Sequence, residues 1–540
     1  MIDQLLTWIL LIPLLGATIL LFWKGASQKT TRNLVLFISL IELLFGLLLW
    51  YFFDPETSSS SYAGNFQFLQ RAEWFSIELA SMGKLVVNYH VGIDGVSLWL
   101  ILLSALIMLI GTLSSWHYDH QFRGYFILYL ILFSSIFGCF IALDLFLFYL
   151  FFELMLLPMF FLIGIWGGVN RAYASIKFFL YTLVGSLLIL IVMIALYLSH
   201  YDPQLSTSND WVHTFDLLLM SGQQASIPGS LLDPSGGTMV WGVAARSLAF
   251  IALLIGFAIK LPSVPLHTWL PDAHVEAPTA ISVVLAAVLL KVGGYGILRI
   301  GYMIFPAEAF SYTSWVISIG VLSIIYGGLN AIAQRDFKRL VAYSSVSHMG
   351  FVLVGLAAWS DEGLSGAVFQ MVSHGLISAG LFLLVGVIYD RTHNREIENF
   401  SGLANRMPRY TFVMIILFFA SLGLPGLSGF VGEILVLMGA FKASTTGLFS
   451  IGFSIAAVTG IILSAVYYLW TTQRMFFGKF WVREEAWDHK MKDLGKREWI
   501  MFLPLIILIL WLGIYPRIIL DTMNETIQLM IQHLTQNQTL

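Results

Sequence analysis

A single cysteine, Cys139, stands among 540 residues, and it lies inside an apolar run. A lone thiol cannot ligate an iron–sulfur cluster, which takes four cysteine or histidine ligands. The chain also lacks a CxxCH haem-attachment site and a strand-borne GxGxxG dinucleotide fingerprint. If redox chemistry is involved, its cofactors belong to other chains. Charge is scarce too: 11% of residues are Asp, Glu, Lys or Arg, against about 25% in soluble domains. Together with a mean hydropathy of +0.83, this excludes an ordinary water-soluble protein.

What the chain has is hydrophobic length. Runs of about 20 apolar residues, enough to cross a bilayer core of about 30 Å, lie near 4–23, 33–53, 92–115, 124–143, 145–168, 172–198, 244–271, 277–301, 312–333, 339–358, 364–389, 411–441, 450–476 and 498–516. They predict an all-α polytopic membrane protein of about fourteen transmembrane helices. The first run has neither a basic n-region nor a small-residue cleavage site, so it reads as a retained helix. The 46 glycines fit close helix packing.

Lysines and arginines set the orientation. Alternate loops place 19 of them on one side and six on the other, with Lys177, Lys260 and Lys291 inside helices. The richer side is expected to face the cytoplasm or its equivalent, leaving both termini outside. Two long polar interludes, 54–90 and 199–243, fall on the outer side. The first ends in KLVVNYHV, whose alternation predicts a short hairpin. The second has the composition of a surface loop and is assigned no function. The mixed-charge stretch at 481–497 is expected to be a cytoplasmic connection.

Two runs are interrupted by proline and glycine. AFIALLIGFAIKLPSVPLHTWLP carries Pro262 and Pro265 just after Lys260, and FFASLGLPGLSGFVGEILVL carries Pro425 among Gly423, Gly426 and Gly429, with Glu433 soon after. Proline removes a backbone donor and frees a carbonyl. At membrane depth this is tolerated only where protein or water satisfies the freed groups. Broken helices in paired positions mark the ion path of transporters with inverted repeats. The two breaks are five helices apart, and an odd offset reverses direction. The chain is therefore divided into helices 1–3 (1–115), a first five-helix repeat (116–301), a second, inverted one (302–476), and a cytoplasmic connection with helix 14 and a short tail (477–540).

Buried titratable groups are the functional signal, because a charge at the bilayer centre costs about 2.5–3.5 kcal/mol even on lenient scales. Glu153 has no neutralising partner within a turn, and the candidate partner is Lys260. At about 4 Å and an effective dielectric of about 20, such a pair interacts by roughly 4 kcal/mol. Lys291 lies too deep to snorkel and is followed by Gly293 and Gly294. Lysine suits proton carriage because an ammonium taken out of water yields its proton more readily, whereas a guanidinium keeps its charge. Lys177 lies near a helix end, where snorkelling explains it as well as function does. His348 and His374 suit a relay, since imidazole both donates and accepts, and Glu433 follows a break as an exit-side carboxylate. Glu42 and Asp144 read as structural. DAHVEAP, with Asp272, His274 and Glu276, reads as a helix-connecting loop rather than a metal site. The set predicts movement of protons or cations.

KLPSVPLHTWLPDAHVEAPTAISVVLAAVLLKVGGYGILR, with FFELMLLPMFFLIGIWGG upstream, resembles the antiporter-like subunits of respiratory complex I, and the resemblance spans essentially the whole chain. The same superfamily includes subunits of multisubunit sodium/proton antiporters and of membrane-bound hydrogenases. Within it, the L and N types resemble each other in carrying a lysine where this chain has Glu433, and the L type continues past the fourteenth helix into a long lateral helix. The resemblance implies Glu153 with Lys260 as a coupling pair, Lys291 as central proton carrier, His348 and His374 as relay groups and Glu433 at the exit. It further implies proton pumping driven by quinone reduction, with NADH, FMN, iron–sulfur clusters and quinone held by partner subunits and with membrane-arm partners of the L, N, K and J types. The alternatives are a sodium/proton antiporter subunit, a ferredoxin- or hydrogenase-linked relative, and a scaffold that has lost transport.

Overall fold

The computed structural model describes residues 4–56, 61–78, 84–206, 211–222 and 225–537. Among these, twelve helices are long and apolar enough to cross a membrane. The two remaining predicted segments are the interrupted ones, whose halves are shorter or less apolar. The first runs Ala245–Lys260 and resumes at Trp269–Glu276; the second runs Pro408–Ser421 and resumes at Ser428–Thr445. Helices satisfy their own backbone groups, which lipid requires. Polar side chains take over at the ends: Asp94, Asp144, Asp336 and Ser360 each accept from backbone N–H groups of the following turn.

Burial sorts the helices into a core and a shell. Thr279–Tyr302 and Asp361–Thr392 are wholly buried across their apolar windows, whereas Gln28–Phe52, Ile451–Met475 and Lys496–Ile514 are only 33% buried and face lipid. Lys291, His348 and His374 thus sit on the innermost helices, where lipid does not reach them.

One face carries an antiparallel hairpin of Gln67–Glu78 with Lys84–Ile93, and we call it the hairpin face; the opposite one is the basic face. Two described residues of the 199–243 segment, Asp202 and Asp216, reach the hairpin. Arg71 on the first strand reaches Asp202 at 2.7 Å and Asp216 at 3.7 Å, and His90 Nδ1 on the second lies 3.0 Å from Asp216. Burial raises the pKa of the Asp216 carboxyl, but His90 and Arg71 outweigh it and hold the group below the usual carboxylate range. Asp202 and Asp216 thus tie this surface loop to the hairpin by ion pairs.

Three sequence expectations are corrected. DAHVEAP is no connecting loop: Asp272, His274 and Glu276 lie on or end the resumed half-helix Trp269–Glu276, because Pro271 falls in its first turn, where the missing N–H costs nothing. The run 145–168 is one span, Leu145–Trp166, as predicted, with a one-residue irregularity at Met155 between Leu145–Leu154 and Leu156–Trp166, where Pro158 cannot donate and crowds the carbonyl four residues back. The C-terminal segment is a 20-residue helix, Arg517–Gln536, whose apolar side packs on the hairpin face. Arg299, counted among the loop charges, is buried within the central helix, which runs on to Tyr302.

Candidate functional site

The central helix Thr279–Tyr302 is not uniformly α-helical. π-turns at Leu285–Leu289 and Ile297–Tyr302 flank the α-helical Leu290–Gly296, and such turns recur at functional sites because they loosen the regular ladder. Lys291 exploits the first of them: its Nζ donates to the Ala286 carbonyl at 2.6 Å. Gly293 allows the first break to press against this helix. A Cβ there would stand 2.6 Å from Leu261 N and 2.8 Å from the Phe257 carbonyl.

From Lys291 a line of polar groups crosses to the second break. Lys291 Nζ donates to His374 Nδ1 at 2.8 Å. The His374 and His348 rings lie 5.5 Å apart, centre to centre. His348 Nδ1 is 3.2 Å from Glu433 Oε1, and its Nε2 faces Ser421 Oγ at 3.1 Å. His348, Gln370, His374, Ser421 and Glu433 share a cavity of about 10 Å³, close to the room one water needs. Gly423 adopts φ +78°, and a Cβ on it would lie 2.6 Å from Glu433 Oε2. Glycine here serves both the turn and the carboxylate. Ser421, Tyr468 and Ser344 extend the network by hydrogen bonds of 2.7 and 3.1 Å.

The first break is arranged differently. Trp269 Nε1 donates to the freed carbonyl of Ile259 at 2.9 Å, and Val264 N donates to Ser323 Oγ at 2.9 Å, so protein groups satisfy the interrupted backbone. Lys260 is buried, but it does not meet Glu153. Its Nζ donates to the Phe152 carbonyl at 3.4 Å and lies 3.8 Å from the centre of the Phe152 ring. Phe152 and Glu153 point about 100° apart around their helix, so an ammonium seated on one misses the other. Glu153 makes no ion pair among the described residues, and its Oε1 is buried without a hydrogen-bond partner.

Lys177 is apart from this line. It pairs with Asp272 at 2.7 Å, and Arg339 holds the other oxygen of the same carboxylate at 2.8 Å. This partly exposed cluster ties the resumed half-helix to its neighbours. Glu42 is fully buried with both carboxyl oxygens unpartnered.

Sequence reasoning missed two groups at the basic face. Lys338 is buried and its Nζ donates to the Ala277 carbonyl at 2.6 Å, on the wall of a cavity of about 580 Å³ that Glu276, Thr279, Asp390 and His393 also line. His274, nearby on the resumed half-helix, is fully buried with neither ring nitrogen hydrogen-bonded, its ring stacked 4.3 Å from Phe382. Phe382 lies about two turns from His374 on the same helix. A polar residue inside a resumed half-helix was the available signal.

Two broken helices, a lipid-facing shell and a line of buried titratable groups define a polytopic membrane protein with a polar path through its interior. The family model described as NADH:quinone oxidoreductase/Mrp antiporter, transmembrane, matches residues 142–459, and the chain belongs to that family. It is 42% identical to NADH-quinone oxidoreductase subunit M of Rhodobacter capsulatus, covering 99% of this chain and 97% of that one. Among solved structures it is similar to a chain of respiratory complex I from Thermus thermophilus with bound NADH, with a TM-score of 0.77, 29% identity and 99% of each chain covered. A chain of the Mrp complex from Dietzia sp. DQ12-45-1b shares the fold, with a TM-score of 0.77, 19% identity and 99% of each chain covered.

Proposed function

We propose that this chain is a proton-translocating membrane-arm subunit of an NADH:quinone oxidoreductase. The observation that carries the reading is the line from Lys291 through His374 and His348 to Glu433, in which a cationic donor, two imidazoles and a carboxylate follow one another inside the protein. Lys291 gives its proton to His374 Nδ1, His348 receives it across the small polar cavity, and Glu433 takes it at the second break. The basic face, turned to the cytoplasm, supplies the proton through the cavity at Lys338 and past His274. Glu153 and Lys260 act by charge: closing or opening their separation changes the field at Lys291, and the pair itself would interact by roughly 4 kcal/mol at about 4 Å and an effective dielectric of about 20. Lys177 braces the entry side through Asp272.

In this reading residues 116–301 and 302–476 are inverted repeats, supported by one broken helix in each. Both termini lie outside. NADH, FMN, iron–sulfur clusters and quinone reside in partner subunits, this chain carries no redox centre, and its neighbours in the membrane arm are of the L, N, K and J types. The 42% identity to a subunit M across nearly the whole chain favours this over a gradient-driven sodium/proton antiporter.

Replacing Lys291 with Met in the intact complex tests the proposal. Quinone reduction and proton uptake are followed together in sealed vesicles. The complex is expected to assemble while pumping and coupled turnover fall at least about tenfold, ~1.4 kcal/mol in barrier terms. Unchanged pumping would remove Lys291 from the path.

A further inference from the structure

The turn that leads into the first broken helix carries an aromatic side chain where turn chemistry favours another residue. Met239–Val240 pairs with Val243–Ala244 as a short antiparallel hairpin, which leaves Trp241 and Gly242 as its two-residue loop. Both have positive φ, +51° and +80°, as the mirror-image turns of tight hairpins require. Glycine takes this backbone freely and asparagine tolerates it, but a bulky residue is an outlier there. No packing within the chain offsets the strain. Trp241 is 95% exposed, more than any other aromatic residue among those described, and Met239 beside it is 65% exposed.

This hairpin is joined directly to the spanning helices. The half-helix Ala245–Lys260 follows it without a linker, and Ala245 N donates to the Thr238 carbonyl at 2.8 Å. Arg246 pairs with Glu308 at 2.8 Å and donates to the Leu232 carbonyl at 3.0 Å, while Leu232 N donates to Ser199 Oγ at 3.1 Å. Ser199 ends the helix Arg171–Ser199, whose exposed row Val184, Leu187, Ile191, Ile194 and Leu198 forms an apolar outer face. Trp241 therefore stands at the height where two spans end. Other spans carry exposed aromatics at their hairpin-face ends: Tyr51 in Gln28–Phe52, Trp315 in Thr313–Ala333 and Tyr515 just after Lys496–Ile514, each more than half exposed.

The surroundings of the tip fit a lipid surface. Residues 234–245 contain no Asp, Glu, Lys, Arg or His, so no charge has to be dehydrated when the tip enters the headgroup layer. Tryptophan collects at membrane–water boundaries because its ring is apolar while its N–H still finds an oxygen acceptor. We propose that the Met239–Ala244 hairpin is a membrane-interface anchor. Trp241 and Met239 enter the glycerophospholipid headgroup layer at the hairpin face, level with Tyr51, Trp315 and Tyr515. Through Ala245 and Arg246 the anchor sets the height of the half-helix that ends at Lys260. The inference needs only that Ala245–Lys260 lies in the membrane, and it is independent of the proton path.

The test uses the whole complex in its native membrane, with the photoreactive substitution Trp241→p-benzoylphenylalanine. Illumination is expected to attach a phospholipid to the peptide containing position 241, read as a lipid-sized gain in mass. A cross-link to another protein subunit would overturn the anchor, as would the absence of any adduct. Trp241→Asn separates anchoring from folding, because asparagine suits this turn better than tryptophan. In vesicles, amide exchange over Val243–Ser247 is expected to quicken severalfold in Trp241→Asn and to stay near wild type in Trp241→Tyr. Exchange in Trp241→Asn equal to or slower than wild type would overturn the proposal. So would failure of that variant to assemble, which would make the indole a structural contact between subunits.

Discussion

Lys260 and Lys291 lie 31 residues apart, both buried, both beside an irregularity in a helix, and their surroundings differ in one chemical respect. Lys291 has an imidazole nitrogen at 2.8 Å, a base that can take its proton. Lys260 has a carbonyl and an aromatic face, which stabilise an ammonium but accept no proton at neutral pH. Under the proposed function the difference separates two uses of a buried lysine: Lys291 would hand on a proton, while Lys260 would act through its charge relative to Glu153.

That contrast is easiest to break at Lys291. Loss of the ammonium in Lys291→Met removes the donor, and the largest effect, at least about tenfold on pumping, is expected there. Lys260→Met should follow, slowing coupled turnover severalfold while the line from Lys291 to Glu433 stays assembled, as measured by proton uptake per NADH. Gly423→Ala comes next: a side chain at φ +78° and 2.6 Å from Glu433 Oε2 must displace the carboxylate, with strain of about 1–3 kcal/mol. Its pumping defect should exceed its assembly defect on native gels. The smallest change is expected for Lys177→Met, because a partly exposed ion pair contributes about 1 kcal/mol or less. Turnover within about twofold of wild type is the outcome that keeps Lys177 off the transfer line.

Much of this was legible in the sequence, for physical reasons that also mark where legibility ends. Lipid forces long apolar runs, so the spans were readable, and proline at membrane depth disclosed both breaks. Alternation in KLVVNYHV disclosed the second hairpin strand. Lys291, His348, His374 and Glu433 stood out because ionisable groups are costly in apolar helices, but their order in space depends on how the helices pack. The Glu153–Lys260 contact failed at the level of side-chain direction, about 100° between neighbouring helix positions. His274 was hidden because polar residues and proline make a resumed half-helix look like a loop. Arg299 was misplaced because a helix end and a loop start look alike when the decisive partner, Asp94, is 205 residues away.

Exchanging each lysine for arginine tests the division of labour most directly, because arginine keeps the charge and withholds the proton. Lys260→Arg and Lys291→Arg would be compared in sealed vesicles for protons pumped per NADH oxidised. The account predicts that Lys260→Arg retains most of its pumping and Lys291→Arg loses nearly all of it. Equal loss in both, or substantial pumping by Lys291→Arg, would contradict it.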